Sequence, residues 1–281
     1  MSFSNSEKKR LQNRYGSWAL ITGASSGIGK ALAHRIAESG LNVLLTARRT
    51  SLLDEIATEV TDLYGVHTTV VEADLTQDAG IDKVLEAAEG VEVGLLVAAA
   101  GFGTSGLFLD SKVADELNML SLNCKALLVF THHFSRRFAR QGRGGIILLS
   151  SMVGFQGVPY AAHYAATKAY VQSLGEALSV ELKDSNVDVL AAAPGPVSSG
   201  FATRANMQMD KTLRAEDIAV PILKALGRKS TILPGLLTKF LVGSLRTVPR
   251  WGKVRIMKLV MGGMTKHQRS SPPRAANPKG F

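Results

Sequence analysis

Residues 18–29 read WALITGASSGIG, an apolar run that turns through Thr22-Gly23-Ala24-Ser25-Ser26-Gly27-Ile28-Gly29 and leads straight into a helical pattern. Residues 18–22 have the composition of a buried strand. The glycines, spaced Gly-x-x-x-Gly-x-Gly, permit a tight turn, close approach of backbone to an anion and close contact of helix with sheet. The helix N-terminus adds unpaired N–H groups and positive potential, which suit a phosphate. A glycine-rich turn can be purely structural. Placed between strand and helix at the start of an alternating series, this one predicts a dinucleotide pyrophosphate cradle.

Working outward, apolar strands are expected near 18–22, 42–46, 67–71, 93–98, 145–150, 187–192 and 230–233, with helices near 27–39, 50–64, 76–89, 111–140, 160–183 and 215–226. Alternation of this kind predicts an α/β fold, a doubly wound parallel sheet of about seven strands with right-handed crossovers. The organisation expected is a polar lead-in at 1–16, one folded domain at 17–235, a basic amphipathic helical extension at 236–263 and a disordered tail at 264–281. The extension should form two helices broken at Pro249, one face carrying Leu237, Phe240, Leu241 and Leu245, the next Trp251, Val254, Met257 and Met261.

Composition narrows the function classes. The single cysteine, Cys124, rules out an internal disulfide, and its apolar helical setting suits a buried structural thiol. The first 17 residues hold no apolar core of the kind a secretory signal needs, and no apolar run reaches the length of a membrane span, so a cytoplasmic protein is expected. The net charge of +10 is local: residues 218–281 carry 13 Lys/Arg and no acid, the remainder 20 basic and 23 acidic residues. No nucleic-acid recognition motif or aromatic platform accompanies it, so nucleic acid is not an expected partner. The basic helices suit packing on the parent domain or a partner subunit, or else a surface that rests on anionic membrane or captures a lipid-like substrate.

The second strand ends in Ala47-Arg48-Arg49, about 20 residues beyond the glycines, where an NAD site would present an acid to the ribose hydroxyls. Two guanidinium groups suit a 2′-phosphate instead, which favours NADP(H) while leaving NAD(H) open. The bland alternative is a pair of exposed arginines at the next helix. In AAHYAATKAY, residues 161–170, Tyr164 and Lys168 fall four apart and so share a helix face. A neighbouring ammonium should lower the phenol pKa toward a working range for acid–base catalysis. His163 and the His132-His133 pair lack metal-ligand spacing and read as ordinary helix residues, and no metal is required.

Together, Thr22–Gly29, Tyr164 and Lys168 make the chain resemble the short-chain dehydrogenase/reductase family over about residues 17–235. That resemblance implies a Rossmann-type fold and extends the catalytic set to Asn123, Ser151, Tyr164 and Lys168. Lys168 would also hold the nicotinamide ribose, Ser151 would bind the substrate oxygen, and Asn123 would position a relay water. Gly23, Ser25, Ser26, Gly27, Ile28, Gly29, Arg48, Arg49, Asp74, Leu75, Ala100 and Gly101 would line the cofactor, with Asp74 at the adenine. Pro194, Gly195, Val197 and Ser199 would wrap the carboxamide. One departure is that Ala98-Ala99-Ala100-Gly101 stands where Asn-Asn-Ala-Gly is usual, which removes a hydrogen bond to backbone near the cofactor. A homodimer or homotetramer through the long helices is implied as well.

Phe102, Ser151, Met152, Val153, Phe155, Tyr160 and Tyr164, with the loop Gly200–Arg214 and its Met207 and Met209, predict an apolar pocket for a hydrophobic ketone, aldehyde or 3-oxoacyl compound. Two rivals from other classes are a catalytically silent dinucleotide-binding regulator and a lipid-associated protein acting through its basic extension.

Overall fold

A computed structural model describes residues 3–209, 212–245 and 247–269 of the 281-residue chain. Its strands are β1 Trp18–Thr22, β2 Asn42–Ala47, β3 Thr68–Glu72, β4 Val93–Ala98, β5 Gly144–Leu149, β6 Val187–Ala192, β7 Val197–Ser198, β8 Leu213–Arg214 and β9 Thr231–Ile232. Its helices are α1 Asn5–Tyr15, α2 Gly27–Glu38, α3 Thr50–Tyr64, α4 Asp78–Glu89, α5 Val113–Leu120, α6 Leu127–Gln141, α7 Ala162–Glu181, α8 Phe201–Arg204, α9 Ala215–Ala225, α10 Leu236–Ser244, α11 Arg250–Met264 and α12 Lys266–Arg269.

Seven strands form a parallel sheet in the order β3-β2-β1-β4-β5-β6-β9. Alternate residues of β1 serve opposite faces: Ala19 and Ile21 join Ile36, Ile56 and Leu223 on one side, Leu20 joins Val84, Phe130 and Val171 on the other. Burial on both faces explains why the strands read as continuous apolar runs. Successive strands are added outward in one direction from β1 to β3 and in the other from β4 onward, so the order of the sheet switches between β1 and β4, whose ends Thr22 and Ala98 are paired in parallel. In an open sheet of this kind the crevice at that switch point is the place for a ligand.

The expected polar lead-in is instead an ordered helix. In α1, Leu11 and Tyr15, one turn apart, are buried, and Tyr15 Oη donates to Asp188 at 2.8 Å. Arg10 donates to the carbonyls of Leu223 and Leu226, both at 2.9 Å. Two apolar residues and tertiary hydrogen bonds suffice to dock a mostly polar helix, which composition averages hide.

The helix expected over 111–140 is divided by a π-helical stretch, Ser121–Ala126, between α5 and α6. The extension does form two helices, yet not with the expected faces. Phe240 is 71% exposed, and Trp251 is 64% exposed while Met257 and Met261 are buried, because residue 251 lies a third of a turn away from that stripe. Of the expected disordered tail, Met264 ends α11, Thr265 is buried and 266–269 are helical, while residues 270–281 lie outside the described residues. No helix among the described residues is long and apolar enough to cross a membrane.

Candidate active site

The glycine turn leaves no room for side chains. Gly23 and Gly27 have φ of +69° and +56°, the left-handed region that glycine adopts freely. A Cβ at Gly23 would lie 2.7 Å from Ala100 Cα, and one at Gly29 only 2.3 Å from the Gly23 carbonyl oxygen. Ser26 begins α2 without a capping hydrogen bond from its side chain, and the first helical turn holds no acid, so nothing there competes with an anion for the N–H groups. Thr22 Oγ1 accepts from the N–H groups of Ala99 and Ala100, both at 3.1 Å. Thr22 thereby anchors the segment in which alanines stand at the usual asparagine positions.

Beyond the cradle, Arg49 donates to Ser25 Oγ at 3.2 Å. None of the ion pairs among the described residues includes Arg48 or Arg49. Arg204 on α8 stacks 3.9 Å above the Phe102 ring, its pKa held down by burial and then by the charge of Arg48. Cations gathered without a carboxylate partner fit an anionic ligand. Asp74 Oδ1 accepts from the N–H and hydroxyl of Thr76 at 3.0 and 2.9 Å, with Leu75 buried beside it. Together with the crowded glycines, these features fit a phosphorylated dinucleotide.

Asn123, fully buried in the π-helical stretch, clamps two elements. Its Oδ1 accepts from Phe102 N–H at 3.1 Å, and its Nδ2 donates to the Phe102 carbonyl at 2.8 Å and Thr167 Oγ1 at 3.1 Å. Both amide donors are thus committed to protein, which moves any water-positioning role away from them. π-Helical stretches are frequent at functional sites.

Tyr164 and Lys168 lie on α7, only 8% and 6% exposed. The Lys168 ammonium donates to the Leu149 carbonyl at 2.7 Å and sits 5.9 Å from the Tyr164 ring centre. Burial pushes the Lys168 pKa down to about 8. Burial also raises that of Tyr164, and the opposing influence is a hydrogen bond with Ser151. This corrects the expectation that Lys168 lowers the phenol pKa: the ammonium is turned to the strand carbonyl and is itself discharged more easily by burial. Ser151 opens the 3-10 turn Met152–Phe155 and accepts from Val153 N–H at 3.4 Å. Burial raises the Cys124 thiol pKa, as suits a structural thiol.

A separate apolar cluster surrounds Tyr164. Phe102, Val153, Tyr160 and Met207 belong to it, as expected from the sequence, whereas Met152 and Phe155 do not. Met152 turns toward the segment at 194–199, its N–H donating to Pro194 O at 3.0 Å, and Phe155 is half-buried. Phe201, in the same loop as Met207, also joins the cluster, its ring 5.2 Å from that of Tyr164, whereas sequence reasoning misses Met257 and Met261, which close it from α11. It also misses Thr238 on α10, fully buried, whose hydroxyl accepts from Gly195 N–H at 3.1 Å beside Pro194, Val197 and Ser199. His163, expected to be ordinary, pairs through Nδ1 with Glu116 at 2.7 Å, and Thr104 donates to the same carboxylate oxygen at 3.2 Å. No short-range spacing joins these residues in sequence, so only a visible apolar stripe at 257 and 261 could have drawn attention to any of them.

The fold, cradle and Tyr–Lys pair define a dinucleotide-dependent dehydrogenase or reductase. A family model described as short chain dehydrogenase matches residues 17–210, and the chain belongs to that family of oxidoreductases. It is 37% identical over 179 residues to a 7beta-hydroxysteroid dehydrogenase of Collinsella aerofaciens, covering 64% of this chain and 68% of the relative. A solved 7beta-hydroxysteroid dehydrogenase structure superposes with a TM-score of 0.82 at 30% identity, over 88% of this chain and 98% of that one. A short-chain dehydrogenase from Sphingobium yanoikuyae in complex with NADPH gives 0.74 at 27% identity, over 93% and 99%.

Proposed function

We propose that this protein interconverts a carbonyl and a secondary alcohol on a bulky hydrophobic substrate using NADP(H), with Tyr164 as general acid and base. The observation that carries this reading is the position of the Tyr164 phenol, buried within an apolar cluster, linked to Ser151 and on the same helix face as Lys168. When bound, the dinucleotide would supply the hydride chemistry. The glycine turn and the N-terminus of α2 would hold its pyrophosphate, and Arg48 and Arg49 its 2′-phosphate, while NAD(H) would use the same turn less tightly.

Ser151 would donate to the substrate oxygen, where negative charge gathers on reduction. Tyr164 Oη would deliver the proton to that oxygen, or remove it in the oxidative direction. Lys168 would hold the nicotinamide ribose, and hydroxyl partners there would further favour its charged form beside the phenol. Asn123 would fix Phe102 and α7 relative to one another. The apolar cluster around Tyr164, with Phe102, Phe201 and methionines, would part to form a chamber for a large rigid apolar molecule, and the hydroxysteroid dehydrogenase relatives support that size class.

The test is NADPH oxidation against bulky polycyclic ketones and, for contrast, small polar carbonyls, beside a fluorescence titration of NADPH. Turnover confined to the first group is expected. Tight NADPH binding with no oxidation of any ketone would overturn the catalytic reading in favour of a silent regulator.

A second assignment concerns partners. The exposed apolar and basic side chains of α10 and α11 support peripheral contact with anionic membrane. Exposed Leu128 on α6 and Tyr170 and Val180 on α7 support a homodimer or homotetramer through those helices.

A further inference from the structure

Helix α11 is apolar on two sides. Inward, Met257 and Met261 are buried against the cluster that holds Phe102, Val158 and Tyr164. Outward, Ile256, Leu259 and Val260 follow the i, i+3, i+4 spacing of one stripe and are 38%, 78% and 45% exposed. On α10, Leu236 and Phe240, one turn apart, are 85% and 71% exposed. Single exposed apolar residues are ordinary, but clustered ones mark a contact surface.

Charge selects the partner. Residues 236–269 contain eight Lys/Arg and no Asp or Glu, and Lys239, Arg250, Arg255 and Lys258 are exposed beside the apolar stripe. A second copy docked through the same face would set like charges against one another, whereas an acidic lipid surface matches them.

The attachment of α11 is slight. Of its 15 residues only Met257 and Met261 are buried, against seven of 11 in α9. What secures its end is polar: Gln268 on α12 donates to Ser105 Oγ at 2.9 Å and to the Asn206 carbonyl, and Gln208 N–H donates to Met264 O at 3.0 Å. These bonds lace together the segment after β4, the segment after α8 and the extension, three pieces that border the chamber.

Building on the oxidoreductase and membrane-contact readings above, we propose that the outer face of α10 and α11 docks on an anionic bilayer and that docking lifts α11 from the chamber. The Tyr164 site then opens toward the lipid, and the apolar substrate passes to it without crossing water.

The test uses the full chain with vesicles of phosphatidylcholine containing phosphatidylglycerol, and pure phosphatidylcholine for comparison. In a Trp18→Phe background, Trp251 emission should shift to the blue, and the protein should sediment, with the anionic vesicles only. Maleimide labelling of Met261→Cys, corrected for Cys124 in the parent protein, should accelerate roughly tenfold on those vesicles. Lys239→Glu/Arg255→Glu/Lys258→Glu should abolish both effects while NADPH binding in solution persists. Docking with unchanged labelling would overturn the opening of the chamber and leave the contact standing. Absence of docking would overturn both, and equal docking on pure phosphatidylcholine would overturn the role of charge. The oxidoreductase reading fails separately, if solution assays show no NADPH oxidation.

Discussion

The two ends of the cleft are built on opposite principles. At the cradle, the proposed recognition of the dinucleotide rests on backbone held so tightly that a single methyl at Gly29 would meet the Gly23 carbonyl at 2.3 Å. At the apolar cluster, the proposed recognition of substrate rests on long side chains, Met207, Met257 and Met261 among them, brought from segments far apart in the chain. A ligand of fixed chemistry can be met by a rigid local turn, whereas an apolar substrate needs volume and shape, which methionine supplies adaptably. Tyr164 stands where the two regimes meet.

That contrast can be broken at several points. Tyr164→Phe should lower turnover about 10³-fold, with NADPH affinity and melting temperature unchanged. Steady-state kinetics beside a binding titration decide it, and retained turnover would remove the phenol from the mechanism. Gly29→Ala, at the rigid end, should weaken NADPH binding roughly 10²-fold because the neighbouring backbone cannot yield without strain. At the same end, Arg48→Ala/Arg49→Ala should cut the preference for NADPH over NADH about thirtyfold, as expected for lost charge-assisted bonds, measured as a ratio of kcat/KM.

The adaptable end should respond more mildly. Met257→Ala is expected to raise KM for a bulky ketone several-fold, roughly 1 kcal/mol, while the NADPH dissociation constant stays put. A change in NADPH affinity there would show that the two ends are not separate.

The last test reads stability rather than turnover, as a function of pH. The folded Lys168 pKa is about 8, below the ordinary lysine value, so between pH 8 and about 10.4 the unfolded chain binds more protons than the folded one. The cofactor-free protein should therefore gain stability from this group as pH rises through that window and lose it as pH falls toward 8. Lys168→Met should flatten the slope in denaturant titrations.

Legibility followed the range of the interactions. The glycine turn, the arginine pair and the Tyr–Lys pair each lie within one short segment, where spacing alone fixes relative position. The lead-in was obscured because Leu11 and Tyr15 are diluted by nine other residues in α1. The break in the long helix was hidden because SLNCKA carries no proline or glycine, and its π-helical turn is set by the clamp from Asn123 to Phe102 and Thr167. Glu116, 47 positions from His163, could not be paired with it from sequence.

By itself the sequence determined the parallel sheet, the crowded glycine turn and the shared helix face of Tyr164 and Lys168, because each depends on backbone periodicity and local sterics. Tertiary structure alone decided which way the Lys168 ammonium turns, what hydrogen-bonds the Tyr164 phenol and which face of α11 roofs the chamber. Those outcomes depend on burial and on contacts between residues distant in the chain, and neither quantity is local.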